Sequence, residues 1–141
     1  SKEILLKAQS GGYAVGAFNV ENMEMVQAVV EAAEELQSPV ILQTTPSTVK
    51  YAGLDYYLAN VKAAAERVSV PVVMHLDHGN SFELAMQAFR VGYTSLMIDG
   101  SHESFEDNIA AVQSSDAVVC HRLSSKCLQV FEQDLSARFD P

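Results

Sequence analysis

A chain of 141 residues with 48% hydrophobic and 19% charged side chains suits one globular domain with a real core, which excludes general disorder. Eighteen Asp and Glu against nine Lys and Arg leave a net charge of -9. That balance disfavours a nucleic-acid backbone or an anionic membrane as partner, and any phosphate site must be built locally, from backbone N–H groups or one placed cation. Residues 13–18 form a short apolar run flanked by Gly11 and Gly12 and closed by Asn19, which predicts a buried strand. Asn22 is placed to N-cap a helix, with Glu24 near its positive end and Met23, Val26, Val30, Ala33 and Leu36 at helical spacing. Ser38-Pro39 stops that helix, because proline disfavours a helical residue before it. Residues 40–43 predict a second strand, 44–48 a polar loop, and Leu54, Tyr57, Leu58, Val61, Ala65 and Val68 a second helix. Residues 71–76 predict a third strand, followed by the polar cluster 77–81. Phe82, Ala85, Met86 and Phe89 mark a third helix, and 93–98 a fourth strand with 99–102 as its loop. Ser104 and Asp107 have the spacing of a capping box for a fourth helix. Beyond Ala110 the pattern weakens, and Leu128, Phe131 and Leu135 offer one further short helix.

Two cysteines, Cys120 and Cys127, make no disulfide framework, so a reducing cytoplasm is the expected location. No apolar run reaches the ~20 residues of a membrane span, and Ser1-Lys2-Glu3 opens no secretory signal. Four strand–helix units in succession predict an α/β fold with a parallel sheet. The polar residues collect after the strands, where α/β proteins place their ligands.

Asp77-His78-Gly79 is the sharpest of these constellations. An Asp-His pair at a strand end can supply a carboxylate for proton transfer and an imidazole for a metal, while Gly79 permits close approach. The pair reads equally as a helix cap and a polar loop residue. Asp99, also followed by glycine, occupies the same place in the next unit. It serves either as a loop-capping acid or as a partner to Asp77 in a metal or acid–base pair. His75 lies within a strand and reads as a satisfied core histidine, and His102 is a weaker candidate. Cys120, His121 and Cys127 lack zinc-cluster spacing and read as structural. No GxGxxG or GxxxxGK[ST] motif supports nucleotide binding.

Gly12-Tyr13-Ala14-Val15-Gly16-Ala17-Phe18-Asn19-Val20, Ser38-Pro39-Val40-Ile41, His75-Leu76-Asp77-His78-Gly79 and Met97-Ile98-Asp99-Gly100-Ser101-His102 stand in that order. Together they resemble the N-terminal half of the class II, zinc-dependent ketose-bisphosphate aldolases, over about residues 1–109. The resemblance implies a (β/α)8 TIM barrel, of which this chain holds about four βα units, with residues 110–141 as a divergent tail. It implies an aldehyde-lyase of carbohydrate metabolism that reversibly cleaves fructose or tagatose 1,6-bisphosphate to dihydroxyacetone phosphate and glyceraldehyde 3-phosphate. Zn2+ would polarise the carbonyl, and some relatives add a second divalent metal and a monovalent cation. By the same resemblance Asp77 exchanges a proton with the C4 hydroxyl, and His78 is the first ligand of the catalytic zinc. Asp99 belongs to a second metal position, while Asn19 and Thr45 contact substrate. Partners are then a phosphorylated ketose and further copies of the chain, with neither nucleic acid nor membrane.

The family's other zinc histidines and its phosphate loops fall outside the matched half, which leaves an incomplete aldolase as the first expectation. A catalytically silent half-barrel that self-associates or binds a partner is the alternative. Four strands also leave two open sheet edges and an inner face without its opposite wall, carrying residues such as Val15, Ile41, Val73 and Leu96. Pairing of two half-barrels, or a tail folded across the opening, is expected to cover it.

Overall fold

A computed structural model describes residues 1–110 and 112–113. The elements in order are α1 (Lys2–Gly11), β1 (Gly16–Asn19), α2 (Met23–Glu35), β2 (Val40–Thr44), α3 (Pro46–Ala52), α4 (Leu54–Ala65), β3 (Val72–Gly79), α5 (Phe82–Val91) and β4 (Ser95–Ile98), with residues 105–110 and 112–113 again helical. The four strands form one parallel sheet in the order β1-β2-β3-β4. The strand–helix alternation is therefore as expected. The helix around Leu128, Phe131 and Leu135, together with Cys120, His121 and Cys127, lies outside the described residues.

Local chemistry sets the boundaries. The Asn22 side chain accepts a hydrogen bond from the Met25 N–H at 2.9 Å, and Ser81 Oγ does the same for Leu84 at 3.1 Å, so both helices start on side-chain caps. α2 ends at Glu35, and Gln37 then takes a left-handed conformation (φ 50°) that turns the chain into Ser38-Pro39. Ser104 Oγ caps Asp107 N at 3.1 Å and donates to the Asp107 carboxylate at 2.7 Å.

Several expectations are corrected. The first strand is Gly16–Asn19 and not 13–18, and it is exposed and not buried, because it is the outer strand of the described sheet; residues 2–11, for which no element was expected, form α1 with only Ala8 buried. Residues 44–48 are not simply a loop. Pro46 occupies the first turn of α3, where its fixed φ and missing N–H cost nothing. β3 also runs on to Gly79, because the backbone pairing with β4 extends to Gly79 opposite Ile98 after a register shift beyond Leu76.

Side-chain alternation gives the sheet two unlike faces. Leu42, Met74 and Leu76 point to the helices and are essentially fully buried, sharing a core with Val26 and Val30 of α2, Tyr57 and Val61 of α4, and Ala85 and Met86 of α5. The other face carries Ile41 and Val73 at one level and Asn19, Gln43, His75 and Ser95 at the next, all in register. The inner wall is thus less apolar than expected. Leu96 pairs with Leu76 and packs against the helix-side core, and Val15 precedes β1.

Candidate active site

At the level where a barrel core is usually aliphatic, the inner face of this sheet is polar and hydrogen-bonded. Gln43 Nε2 donates to Asn19 Oδ1 at 2.7 Å and to Asp77 Oδ2 at 2.8 Å. One amide therefore ties β1, β2 and the end of β3 together and orients the Asp77 carboxylate. His75 Nδ1 and Ser95 Oγ are 2.7 Å apart, which gives the imidazole a partner, but the ring is only half-buried on the inner face and is not the core histidine expected. Burial pushes the His75 ring below its ordinary basicity, and the Asp77 charge opposes this.

Above this band the chain bends. His78 sits in the left-handed region (φ 52°), which is uncommon for a residue with a Cβ and marks a locally constrained backbone. The bend lies within the β3–β4 register shift and swings the imidazole out at the carboxyl end of the sheet, with 59% of its side chain exposed. His78 Nδ1 and Asp99 Oδ2 are 2.6 Å apart, and His78 Nε2 stands 3.9 Å from Asp77 Oδ1. Asp99 is held in turn by the Ser101 N–H to its Oδ1 at 3.0 Å and by its own N–H to Gly79 O at 2.9 Å. The bond to His78, then those from Ser101, keep the Asp99 carboxyl well below the usual carboxylate range. The Asp99 bond, and next the charge of Asp77, raise His78 above its ordinary value.

Asp77, His78, Asp99 and Asn19 are thereby brought into one connected cluster. Thr45 is not hydrogen-bonded into it: its hydroxyl is used with Ser47 Oγ at 2.9 Å and Thr48 Oγ1 at 3.1 Å, at the start of α3. Gln43, the hub of the cluster, was not singled out from the sequence. Its only signal was an amide at the end of the apolar run 40–43, as Asn19 is after 13–18.

The cluster has the parts of a half-built metal and proton-transfer site. A metal-binding histidine commonly fixes its orientation by giving the other ring nitrogen to a carboxylate, as His78 does with Asp99. Catalytic zinc takes three protein ligands. Among the described residues no group of three His, Cys, Asp or Glu side chains converges to hold a metal ion. His78 suits the role of one ligand, and these residues alone do not make the site.

The fold is that of part of a βα barrel, with this cluster at the carboxyl ends of its strands. The profile of the family described as "Fructose-bisphosphate aldolase class-II" matches residues 1–124, and the chain belongs to that family. It is 53% identical over 107 residues to the fructose-bisphosphate aldolase of Thermus caldophilus, covering 76% of this chain and 35% of that one. It is 47% identical over 114 residues to the D-tagatose-1,6-bisphosphate aldolase subunit GatY of Klebsiella oxytoca, covering 81% and 40%. Among solved structures, the YdjI aldolase of Escherichia coli K12 superposes with a TM-score of 0.79 at 34% identity, over 86% of this chain and 47% of that one. The sheet is thus four βα units of a TIM barrel. The chain spans well under half the length of the curated relatives that it matches.

Proposed function

We propose that this chain carries the proton-transfer half of a class II aldolase site, for cleavage of fructose or tagatose 1,6-bisphosphate to dihydroxyacetone phosphate and glyceraldehyde 3-phosphate. The observation that carries the reading is the connected set Asn19–Gln43–Asp77 and His78–Asp99 at the carboxyl ends of four adjacent strands. In this role Asp77 accepts the C4 hydroxyl proton as the C3–C4 bond breaks. The bonding pair stays on C3 as the enediolate of one triose, and C4 leaves as the aldehyde of the other. Gln43 holds the Asp77 carboxylate at a fixed angle, and Asn19, tied to the same amide, faces the space where a substrate hydroxyl would lie. His78 would supply one ligand to a zinc ion, whose positive charge would stabilise the enediolate when bound, and Asp99 orients that imidazole.

The remaining ligands lie outside the described residues, so the test is made in a complete barrel. Residues 1–109 are grafted in place of the matching segment of the Thermus caldophilus relative, and triose phosphate release is followed in a coupled assay with zinc. The expected result is an active chimera in which Asp77→Ala lowers kcat by ~10² to 10⁴-fold with little change in KM. A folded chimera without activity, or an Asp77→Ala variant within about threefold of its parent, would overturn the proposal.

A second reading, a catalytically silent half-barrel, is favoured by the single imidazole that the cluster offers to a metal. Stoichiometric zinc retained by the 141-residue chain after dialysis would count against it.

A further inference from the structure

We propose that His75 and Ser95 are positioning residues for the cluster: their bond fixes where β3 carries one extra residue, and so aims His78 at Asp99. The proposal deepens the aldolase reading, on which it rests only for what His78 does once it is aimed. It starts from the pairing of β3 with β4. His75 stands opposite Ser95 and Leu76 opposite Leu96, but the next pair is Gly79 with Ile98. From Leu76 to Gly79 is three steps on β3, and from Leu96 to Ile98 two on β4, so Asp77 and His78 together stand against Met97. That is a β-bulge, a device that re-aims a side chain and increases the local twist.

The extra residue decides which way His78 points. Along an unbroken strand His75 and Asp77 share the inner face, and His78 would follow Leu76 toward the helices. Leu76 is fully buried there, so an imidazole on that side would enter the apolar core and leave Asp99. With the bulge, His78 takes φ 52° and keeps 59% of its side chain exposed. Its ring then reaches Asp99 Oδ2 at 2.6 Å and lies 3.9 Å from Asp77 Oδ1. Two consecutive residues thus serve one site, which regular strand geometry does not allow.

A bulge has to be held in place, and the residues below this one are fixed twice. Buried Thr94 secures Met74: its Oγ1 accepts from Met74 N–H at 3.2 Å and donates to Met74 O at 3.1 Å, and its N–H donates to the same carbonyl at 3.0 Å. On the inner face, His75 Nδ1 and Ser95 Oγ lie 2.7 Å apart. That bond carries the fixed register one residue further, up to the edge of the bulge. Without it the extra residue is free to spread down to His75, and the His78 backbone loses its constraint. An aliphatic pair, such as Ile41 with Val73 one level below, also joins strands, but apolar contact is non-directional and does not fix register. This accounts for a half-buried histidine where packing alone would take an aliphatic side chain.

The experiment is amide hydrogen exchange on the full 141-residue chain, with circular dichroism to confirm folding. The reporter above the bulge is the Asp99 N–H, which donates to Gly79 O at 2.9 Å. The control is the Val20 N–H, which donates to Gln43 O at 3.0 Å across the sheet. Ser95→Ala and His75→Phe each remove the bond and keep a side chain of similar bulk. Each should speed Asp99 exchange by roughly 3- to 10-fold, the loss of one neutral hydrogen bond, and leave Val20 unchanged. The double variant should be no faster than the singles, and Ser95→Thr, which keeps the hydroxyl, should match the parent. In the chimera with the Thermus caldophilus relative, the two single variants should weaken zinc retention against a chelator by about 3- to 10-fold. Asp99 exchange within about twofold of the parent, equal acceleration at Val20, or a Ser95→Thr chain that behaves like Ser95→Ala would overturn the proposal. Faster exchange with zinc retention unchanged would overturn it too. The exchange readings need neither zinc nor substrate, so an inactive chimera beside the expected exchange result sinks the aldolase reading alone.

Discussion

Gly79→Ala tests how tightly the site is tied to the sheet. A Cβ at this position would stand 2.5 Å from the Met97 carbonyl oxygen and 3.0 Å from Leu76 Cδ2. Ordinary C···O approach is about 3.3–3.6 Å, so β3 and β4 must part by roughly 1 Å where they carry His78 and Asp99. Gly79 is not in the left-handed region, so the penalty is contact and not backbone strain. Overpacking of this kind costs about 1–3 kcal/mol, and loosening the bond from Asp99 N–H to Gly79 O adds ~0.5–1.5 kcal/mol. Stiffening of the unfolded chain by alanine returns ~0.4–1 kcal/mol. The net expectation is a loss of about 1–3 kcal/mol, read as a lower urea midpoint with an unchanged slope. The Asp99 amide should also exchange with solvent at least about tenfold faster, since its acceptor has moved. Gly12→Ala is the control, because its Cβ meets nothing within 4 Å although φ is 69°. It should destabilise without touching the Asp99 amide. A Gly79→Ala chain with wild-type midpoint and exchange would refute the reasoning.

Two further predictions concern stability. Tyr93 OH and Thr44 Oγ1 lie 2.9 Å apart with both residues buried, and burial pushes the phenol up to about 12. Tyr93→Phe and Thr44→Val should each cost ~1–2 kcal/mol, with the double variant short of their sum by ~1 kcal/mol in chemical denaturation; strict additivity would show the bond contributes nothing. Glu34 accepts from Ser69 N–H at 2.8 Å, Ser69 Oγ at 2.9 Å and Val70 N–H at 3.2 Å, and the Ser69 bonds hold its carboxyl below the ordinary value of 4.5. Its contribution is therefore present above pH 4.5 and lost as pH falls through the lowered value, so a Tm deficit of Glu34→Gln at pH 7 should close in acid. A deficit that persists unchanged at about pH 3 would assign it to packing.

Much of this architecture is local in origin and so was readable along the chain. Asn22, Ser81 and Ser104 are caps whose partners lie three residues away. The strand–helix alternation follows from apolar spacing, and the polar strand ends singled out Asp77, His78 and Asp99. What stayed hidden depends on distance along the chain. Gln43 reaches Asn19 and Asp77 across 24 and 34 residues, and nothing local to Val40–Thr44 distinguishes a hub amide from a strand terminus. The extension of β3 through His78 comes from the β4 backbone. Asp77-His78-Gly79-Asn80 is a turn-prone composition, and the partner strand overrides it. α1 was missed because it buries little, so its amphipathic signal is faint.

Charge at the strand ends divides the labour between this sheet and whatever completes it. Residues 19–22, 43–48, 77–81 and 99–104, which follow or end the four strands, contain Glu21, Asp77, Asp99 and Glu103 and no Lys or Arg. A bisphosphate approaching this mouth meets a negative field, on a chain whose net charge is -9. Only the imidazoles of His78 and His102 can turn cationic in these segments, and the Nδ1 of His78 is committed to Asp99. On the proposed reading Asp77 and His78 supply proton transfer and a ligand, these four segments offer no Lys or Arg to a phosphate, and a bisphosphate must find its backbone N–H nests or cations elsewhere. The expected consequence is that inorganic phosphate and fructose 1,6-bisphosphate bind the 141-residue chain no more tightly than about 1 mM, near the ~-4 kcal/mol of a weak ionic contact. Isothermal titration at low salt checks this, because low salt favours any residual attraction. Micromolar binding that survives about 0.15 M salt would mean that a phosphate site is already built into this half, and the division would be wrong.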